Sequence, residues 1–501
     1  MSTSMLAPAD MVVDGTSLEL DRLEQATAPL RLRLAEDTLE RVGRCRRFLE
    51  QCLTDGRPVY GATTGFGPLV NYAGRESAAE QCENALAHLA AGQGPDLERA
   101  VVRAAMLVRL TSLARGHSGV SPHVVSALAD ALATSFAPAV PQLGSLGASG
   151  DLVPLSYVAR ALSGEGHAYF DGTRMPAAKA LGFSGLTPLK QDGRDGLALV
   201  NGTSVTAAAA GLAVLSLRRS HATALRLSAL MADLLGCGQA HLDPDLLNAF
   251  GHSHVADAGR ALRQNLSGSV PTGTRALQEP YSIRCVPQLA GAAASAIGYA
   301  EHVVCDDLQS ISDNPLFFPE RDEVAHGGNF FGQPVAFAAD LLSIVATQLG
   351  NLAERQLDLL IDPHRNGALP PMLSPDPGRQ HAVQGVQLTA TAIVASMRRA
   401  AVPASIQSLP TNWHNQDVIP FGTQAALTAL DQARLLRLLH GSLALALRQA
   451  AAVSDRTLTA AANTALLNRL CALVPPIDQD RPLDHEVRKV ADLLDELDGS
   501  P

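Results

Sequence analysis

Four long Ala- and Leu-rich stretches dominate the second half of this 501-residue chain: Thr203 to Leu235, Ala290 to Ser310, Val335 to Asp362, and Thr423 to Ser454. The third is bracketed by Pro334 and Pro363, and as one helix at 1.5 Å per residue it would be roughly 42 Å long. No heptad with flanking charges persists through them, so a packed bundle is expected rather than a coiled-coil rod. Composition agrees: 47% of residues are hydrophobic but only 4% aromatic, and Ala, Leu and Val suit closely packed helices better than a β-sandwich. The chain is longer than one hydrophobic core usually supports. The fold class is therefore mainly α, with an elongated central bundle.

Residues Thr38 to Leu53 place Leu39, Val42, Cys45, Leu49 and Cys52 at helical spacing, with Asp37 as a candidate cap. Glu98 to Arg115 repeats the pattern and stops at Gly116. Between about Ser135 and Pro154 the succession Pro138, Pro141, Gly144, Gly147, Gly150 predicts a loop. These features divide the chain into a mixed N-terminal region (1–200) carrying that loop, a central bundle (201–455), and a C-terminal cap (456–501) whose polar end, Pro475 to Pro501, is expected to be exposed.

The net charge of −10 is spread without a basic block, which disfavours nucleic-acid or anionic-membrane partners and points to a small molecule or a protein. Seven scattered cysteines, none in a CxxC pair, disfavour structural disulfides or zinc and suit a reducing compartment. The N-terminus has no secretory pattern, and the apolar run Val205 to Leu217 is short for a bilayer. A cytoplasmic protein is expected.

The loop Gly144-Ser-Leu-Gly-Ala-Ser-Gly-Asp151 is the most informative segment. An isolated glycine-spaced loop is most often a turn or a phosphate cradle, but no Lys follows Gly150 and no strand-like run leads in, so no nucleotide is expected. The segment GSLGASGDLVPLSYVARALSGEG resembles the signature of the aromatic amino acid lyase family, which comprises the histidine, phenylalanine and tyrosine ammonia-lyases and the related 2,3-aminomutases. Further blocks resemble the family in family order: YGATTGFG at Tyr60, LVNGTS at Leu199, QEPYSIRC at Gln278, SDNP at Ser312, HGGNFFGQ at His326 and NQDV at Asn415.

The resemblance implies a fumarase/aspartase-like bundle and a homotetramer whose active sites are shared between chains. It also implies a 4-methylidene-imidazole-5-one cofactor made autocatalytically from Ala148, Ser149 and Gly150, with no metal. Gly150 suits such a ring because a residue without Cβ lets its nitrogen approach the Ala148 carbonyl. By the same resemblance Tyr60 is the base facing the substrate Cβ, in a glycine-rich loop that suggests a mobile lid. A tyrosine hydroxyl serves as a base near neutrality only where positive charge or helix N-termini stabilise the phenoxide. Asn201 is implied to polarise the cofactor, Tyr281 to be a second active-site tyrosine, Arg284 to clamp the substrate carboxylate with help from Asn314, and Gln278 to support them. Glu279 stands where the family usually has Asp.

Two positions bear on the substrate. In histidine ammonia-lyases one segment reads SHAAG where this chain has His88-Leu89-Ala90-Ala91-Gly92, so Leu89 replaces their imidazole-recognising histidine, and they carry a glutamate where Asn415-Gln416-Asp417 offers a neutral amide. Both changes point away from histidine. The pair His88-Leu89 resembles bacterial tyrosine ammonia-lyases, whose histidine binds the phenol, so L-tyrosine to 4-hydroxycinnamate is the expected reaction. Trp413 and His414 stand beside the last block, and whether they enlarge or close the ring pocket is left open. An aminomutase making an aryl β-amino acid, a phenylalanine or histidine ammonia-lyase, and an inactive helical scaffold remain as alternatives.

Overall fold

The computed structural model describes residues 10–75 and 77–499, and the four apolar stretches are continuous α-helices: Ser204–Leu234, Val286–Leu308, Gln333–Ile361 and Gly422–Val453. Pro334 does not precede the third helix but stands in its first turn, where the amide it lacks would have had no helical acceptor. The segment Arg194–Leu234 and the helix Gln333–Ile361 are long and apolar enough to cross a membrane, yet their apolar windows are 100% and 72% buried inside the protein. The chain is mainly α, and the strands are two- to four-residue pieces in small sheets.

Two compact units interleave along the chain. The first comprises Met1–Leu212 (described from Asp10), Glu301–Asp340 and Pro403–Leu427; the second comprises Ala213–Ala300, Leu341–Val402 and Thr428–Pro501. Four of the five boundaries fall inside long helices, so chain order and compactness do not coincide as the contiguous segments 1–200, 201–455 and 456–501 would have them.

In the first unit the helix Glu36–Thr54 buries Val42, and packs Cys45, Leu49 and Cys52 against Val59 and Phe317. Two expectations fail here. Leu39 is 37% exposed, because it lies about 100° round the helix from the middle of that stripe. Asp37 is not the cap: Ala35 is, and Asp37 sits in the first turn, paired with Arg41 at 2.7 Å. The helix Arg99–Ala114 is buried almost throughout and is followed by Gly116 at φ +75°. Its Arg103 is a buried cation without a carboxylate. All five of its N–H groups donate to carbonyls, of Ala26, Ala28, Leu132, Thr134 and Phe136, at 2.7–2.8 Å. Burial lowers its pKa to about 10, which still leaves it charged near neutrality. The expected loop near Ser135 contains two short strands, Ala137–Pro138 and Pro141–Leu143, which pair antiparallel with His167–Phe170 and Gln93–Asp96. The longest irregular run left there is Gly144 to Asp151, after which the helix Leu152–Leu162 begins with Pro154 in its first turn.

In the second unit the polar C-terminal stretch is not simply exposed. It forms the helix Asp484–Gly499, which buries Val490, Ala491 and Leu494 at helical spacing beneath its charged face. The chain leading to it is pinned by Gln449, whose amide donates to the Leu373 and Ile477 carbonyls while its carbonyl accepts the Ile477 N–H.

Candidate active site

The loop from Gly144 to Asp151 is fixed from beneath by one carboxylate. Asp151, fully buried, accepts from the Val205 and Thr206 amides at the N-terminus of Ser204–Leu234, and from the hydroxyls of Thr206, Ser145 and Thr423, all at 2.7–2.9 Å. Backbone bonds complete the hold: Gly150 N–H to Phe330 O and Asp151 N–H to Gly202 O at 2.8 Å, and Gly332 N–H to Gly147 O at 3.0 Å. Gly150 has φ +66°, and a Cβ there would lie 2.5 Å from the Gly202 backbone, so only glycine fits. Ala148 is buried, and the Ser149 hydroxyl accepts a 2.8 Å bond from the Gln416 amide.

Asn201 ends the helix Arg194–Val200 beside this loop, and three buried charges hold it. Arg109 donates to the carbonyls of Ala198 and Ser312, and a Cβ on Gly202 would collide with its guanidinium. Arg194 pairs with Asp313 at 2.7 Å, both fully withdrawn from solvent, and donates to the backbone of Ser118, Asn314 and Pro315. Asp313 accepts the Asn201 amide at 3.2 Å, and that amide's second bond goes to the Asn314 carbonyl at 2.9 Å. Asn314 in turn accepts the Gly327 N–H at 2.7 Å. Asp313→Ala would strand Arg194 without its counter-ion, and chemical denaturation is expected to show a loss of about 3–5 kcal/mol; a loss below about 1 kcal/mol would contradict the role assigned to this pair.

A cavity of about 420 Å³ in the first unit brings together Tyr60, His88, Leu89, Ser149, Asn201, Asn314, Asn415 and Gln416. Tyr60 lies on the loop after Val59, its hydroxyl accepting the Gly67 N–H at 2.7 Å and its ring meeting the edge of Phe66. Two of the glycines that suggest a lid have packing reasons: a Cβ at Gly61 would strike Leu197 and Phe66, and one at Gly65 would lie 2.5 Å from the Leu69 carbonyl. His88 lies in the last turn of the helix Ala78–Leu89, stacks on Phe66 and places Nδ1 3.0 Å from the Asn84 carbonyl. It is exposed in the single chain, so water can satisfy it there. Gln416 and Asn415 come from a six-residue turn closed by Thr411 and Gln416 backbone pairs. Asn412, Trp413 and His414 are successive left-handed residues (φ 51°, 52° and 62°), a conformation costing about 1–3 kcal/mol each that is retained where a site requires it. The turn sends Trp413 outward, 77% exposed, so it neither enlarges nor closes this cavity.

Five expected site residues do not line this cavity: Ala148 and Gly150, which flank Ser149, and three that lie elsewhere. Gln278, Tyr281 and Arg284 belong to the second unit and line a different cavity of about 550 Å³. Tyr281 is 70% exposed and stacks on the Arg284 guanidinium, whose buried Nε has no hydrogen-bond partner among the described residues. Glu279, the departure from the family pattern, holds Arg275 with two bonds of 2.6 and 2.7 Å. Among the described residues no Arg or Lys lines the Ser149 cavity. Arg109, Arg194, Asp151 and Asp313 were not among the sequence candidates. Their signals are legible: Asp151 and Asp313 stand inside quoted blocks, and Arg109 follows the apolar run Ala104 to Val108.

The aromatic amino acid lyase family profile matches residues 18–472. The chain is 35% identical to a histidine ammonia-lyase of Bacillus subtilis over 496 residues, covering 97% of this chain and 96% of that protein. In structure it is similar to a tyrosine aminomutase from Streptomyces globisporus (TM-score 0.91, 32% identity, 98% and 97% of the two chains). It is also similar to a Pantoea agglomerans phenylalanine aminomutase (TM-score 0.90, 28% identity, 97% and 98%). The chain thus belongs to the aromatic amino acid lyase family and is a carbon–nitrogen lyase.

Proposed function

We propose that the enzyme eliminates ammonia from an aromatic L-amino acid, with L-tyrosine preferred and 4-hydroxycinnamate as the product. The observation that carries this reading is His88 lining the same cavity as Ser149. Because the Asn84 carbonyl can only accept, Nδ1 carries the ring proton of the neutral imidazole and Nε2 is left to accept a bond, the partner a phenol requires. The neutral Gln416 offers no carboxylate to an imidazolium, which favours tyrosine over histidine.

Ala148, Ser149 and Gly150 fit the imidazolone: the triplet is small, tightly held, and ends on a glycine whose Cβ position is already filled by backbone. Once formed, that group supplies an electrophile for the amino nitrogen that no encoded side chain offers. The chain's own residues do the rest. Tyr60 takes the Cβ proton as the Cα–N bond breaks, Gln416 holds Ser149, and Asn201, anchored by Asp313 and Asn314, lines the same cavity to polarise the ring. Arg284, with Tyr281, Gln278 and Asn314, receives the substrate carboxylate. Since no cation among the described residues lines the Ser149 cavity, Arg284 is assigned to a neighbouring subunit of a homotetramer, which would also cover His88 and keep water from it.

A second reading is favoured by the likeness to two aminomutases: return of the amine to Cβ, giving a β-amino acid. Incubation with tyrosine, phenylalanine and histidine side by side separates these readings. An ultraviolet-absorbing 4-hydroxycinnamate formed fastest from tyrosine is expected; β-tyrosine in its place identifies the mutase, and faster turnover of histidine ends the tyrosine assignment. His88→Phe is expected to lower the ratio of kcat/KM for tyrosine over phenylalanine by about 10- to 200-fold. An unmoved ratio would take His88 out of substrate recognition.

A further inference from the structure

His88 also lines a second, neighbouring cavity. This cavity, of about 470 Å³ in the same unit, shares Phe66, Pro68, His88 and Asn412 with the first, so these four residues form the partition between them. The far cavity is also lined by Asn84 and Arg75.

Asn84, Asn412 and Arg75 are all exposed in the single chain, where water meets them. Among the described residues, the amides of Asn84 and Asn412 and the guanidinium of Arg75 have no hydrogen-bond or ion-pair partner in the protein. Gln81, by contrast, is fully used: its carbonyl accepts the Arg75 N–H at 2.9 Å, and its amide donates to the Thr64 carbonyl at 3.3 Å, which fixes the chain carrying Arg75. The left-handed turn that sets Gln416 against Ser149 also sets Asn412 against both cavities, so one short segment fixes the spacing between the reacting centre and the far chamber. Two amides and a guanidinium together offer a surplus of donors, and the fitting ligand is a hydrogen-bond-accepting or anionic group.

We infer that the chamber beyond His88 is a substituent site, which receives an acceptor or anionic group carried on the substrate ring beyond the phenol position. The enzyme's substrates then include para-extended aromatic L-amino acids, each yielding the corresponding aryl acrylate and ammonia. This rests on the ring pointing at His88 as in the function proposed above.

The test compares 4-carboxy-L-phenylalanine with 4-isopropyl-L-phenylalanine, which has a similar branched outline but no acceptor, and with L-tyrosine, using the purified full-length enzyme. The carboxy substrate is expected to show a kcat/KM within tenfold of tyrosine and at least tenfold above the isopropyl analogue. In Arg75→Met the carboxy-to-tyrosine ratio is expected to fall at least tenfold, and in Asn84→Leu by a smaller factor. Equal rejection of carboxy and isopropyl substrates while tyrosine is consumed overturns the chamber and leaves the tyrosine reading standing, as does a ratio that neither variant moves. If tyrosine is refused and histidine consumed, the tyrosine reading falls, and the carboxy-to-isopropyl comparison still decides the chamber.

Discussion

Ser149→Ala is expected to lower kcat by at least about a thousandfold, about 4 kcal/mol of barrier at 1.36 kcal/mol per decade, while the protein melts within a few degrees of the parent. The two halves of that expectation have separate grounds. The hydroxyl is the atom group whose loss as water would create the methylidene carbon, and nothing else in the cavity is electrophilic: its polar lining is amides, one phenol and one imidazole. The fold does not depend on it, because Ser149 makes a single side-chain bond, to Gln416, worth about 1 kcal/mol. The loop is held instead by the Asp151 carboxylate and the backbone bonds of Gly147, Gly150 and Asp151. Intact mass supplies a readout independent of turnover. The mature parent is expected to weigh roughly 36 Da less than its sequence, two waters, by the stoichiometry of ring formation. Ordinary turnover by Ser149→Ala, or a parent mass equal to that of the sequence, would remove the cofactor from the mechanism and revive the inactive scaffold.

The long helices were legible because their signal is redundant. A stretch such as Gln333–Ile361 repeats Ala and Leu over several turns, so an error at either end leaves the element intact. Short or mixed elements lack that redundancy. The helix Asp484–Gly499 hides its buried stripe of Val490, Ala491 and Leu494 among acids, and its density of charge reads as solvent. In the cavity, Tyr60, His88, Ser149, Asn201, Asn314 and Gln416 were all nameable from motifs, since each sits in a block with its own glycine or asparagine punctuation. What holds them was not. Arg109, Arg194 and Asp313 act through partners roughly 90 to 200 residues away, and one sequence carries no record of such distant pairs. Asn412 was missed because its significance lies in a left-handed backbone, which side-chain patterns do not announce.

Tyr60→Phe is expected to separate cofactor formation from elimination: the mass deficit stays and turnover falls about 10²- to 10⁴-fold, the usual worth of a positioned proton acceptor. The substitution keeps the ring and therefore its edge contact with Phe66 at 6.3 Å. It removes only Oη, which accepts the Gly67 N–H, so the damage outside catalysis is one unpaired amide in a partly exposed loop, which water can satisfy. The cofactor triplet makes no bond to Tyr60, and its supports come from Asp151, Phe330 and Gly202. A loss of activity with the deficit intact thus reports proton transfer rather than a disturbed site. The competing base is Tyr281, which lines the second unit's cavity and is 70% exposed in the single chain. If Tyr60→Phe retains most of its activity while Tyr281→Phe loses it, the proton goes to Tyr281, and Tyr60 is reduced to shaping the pocket through Gly67 and Phe66.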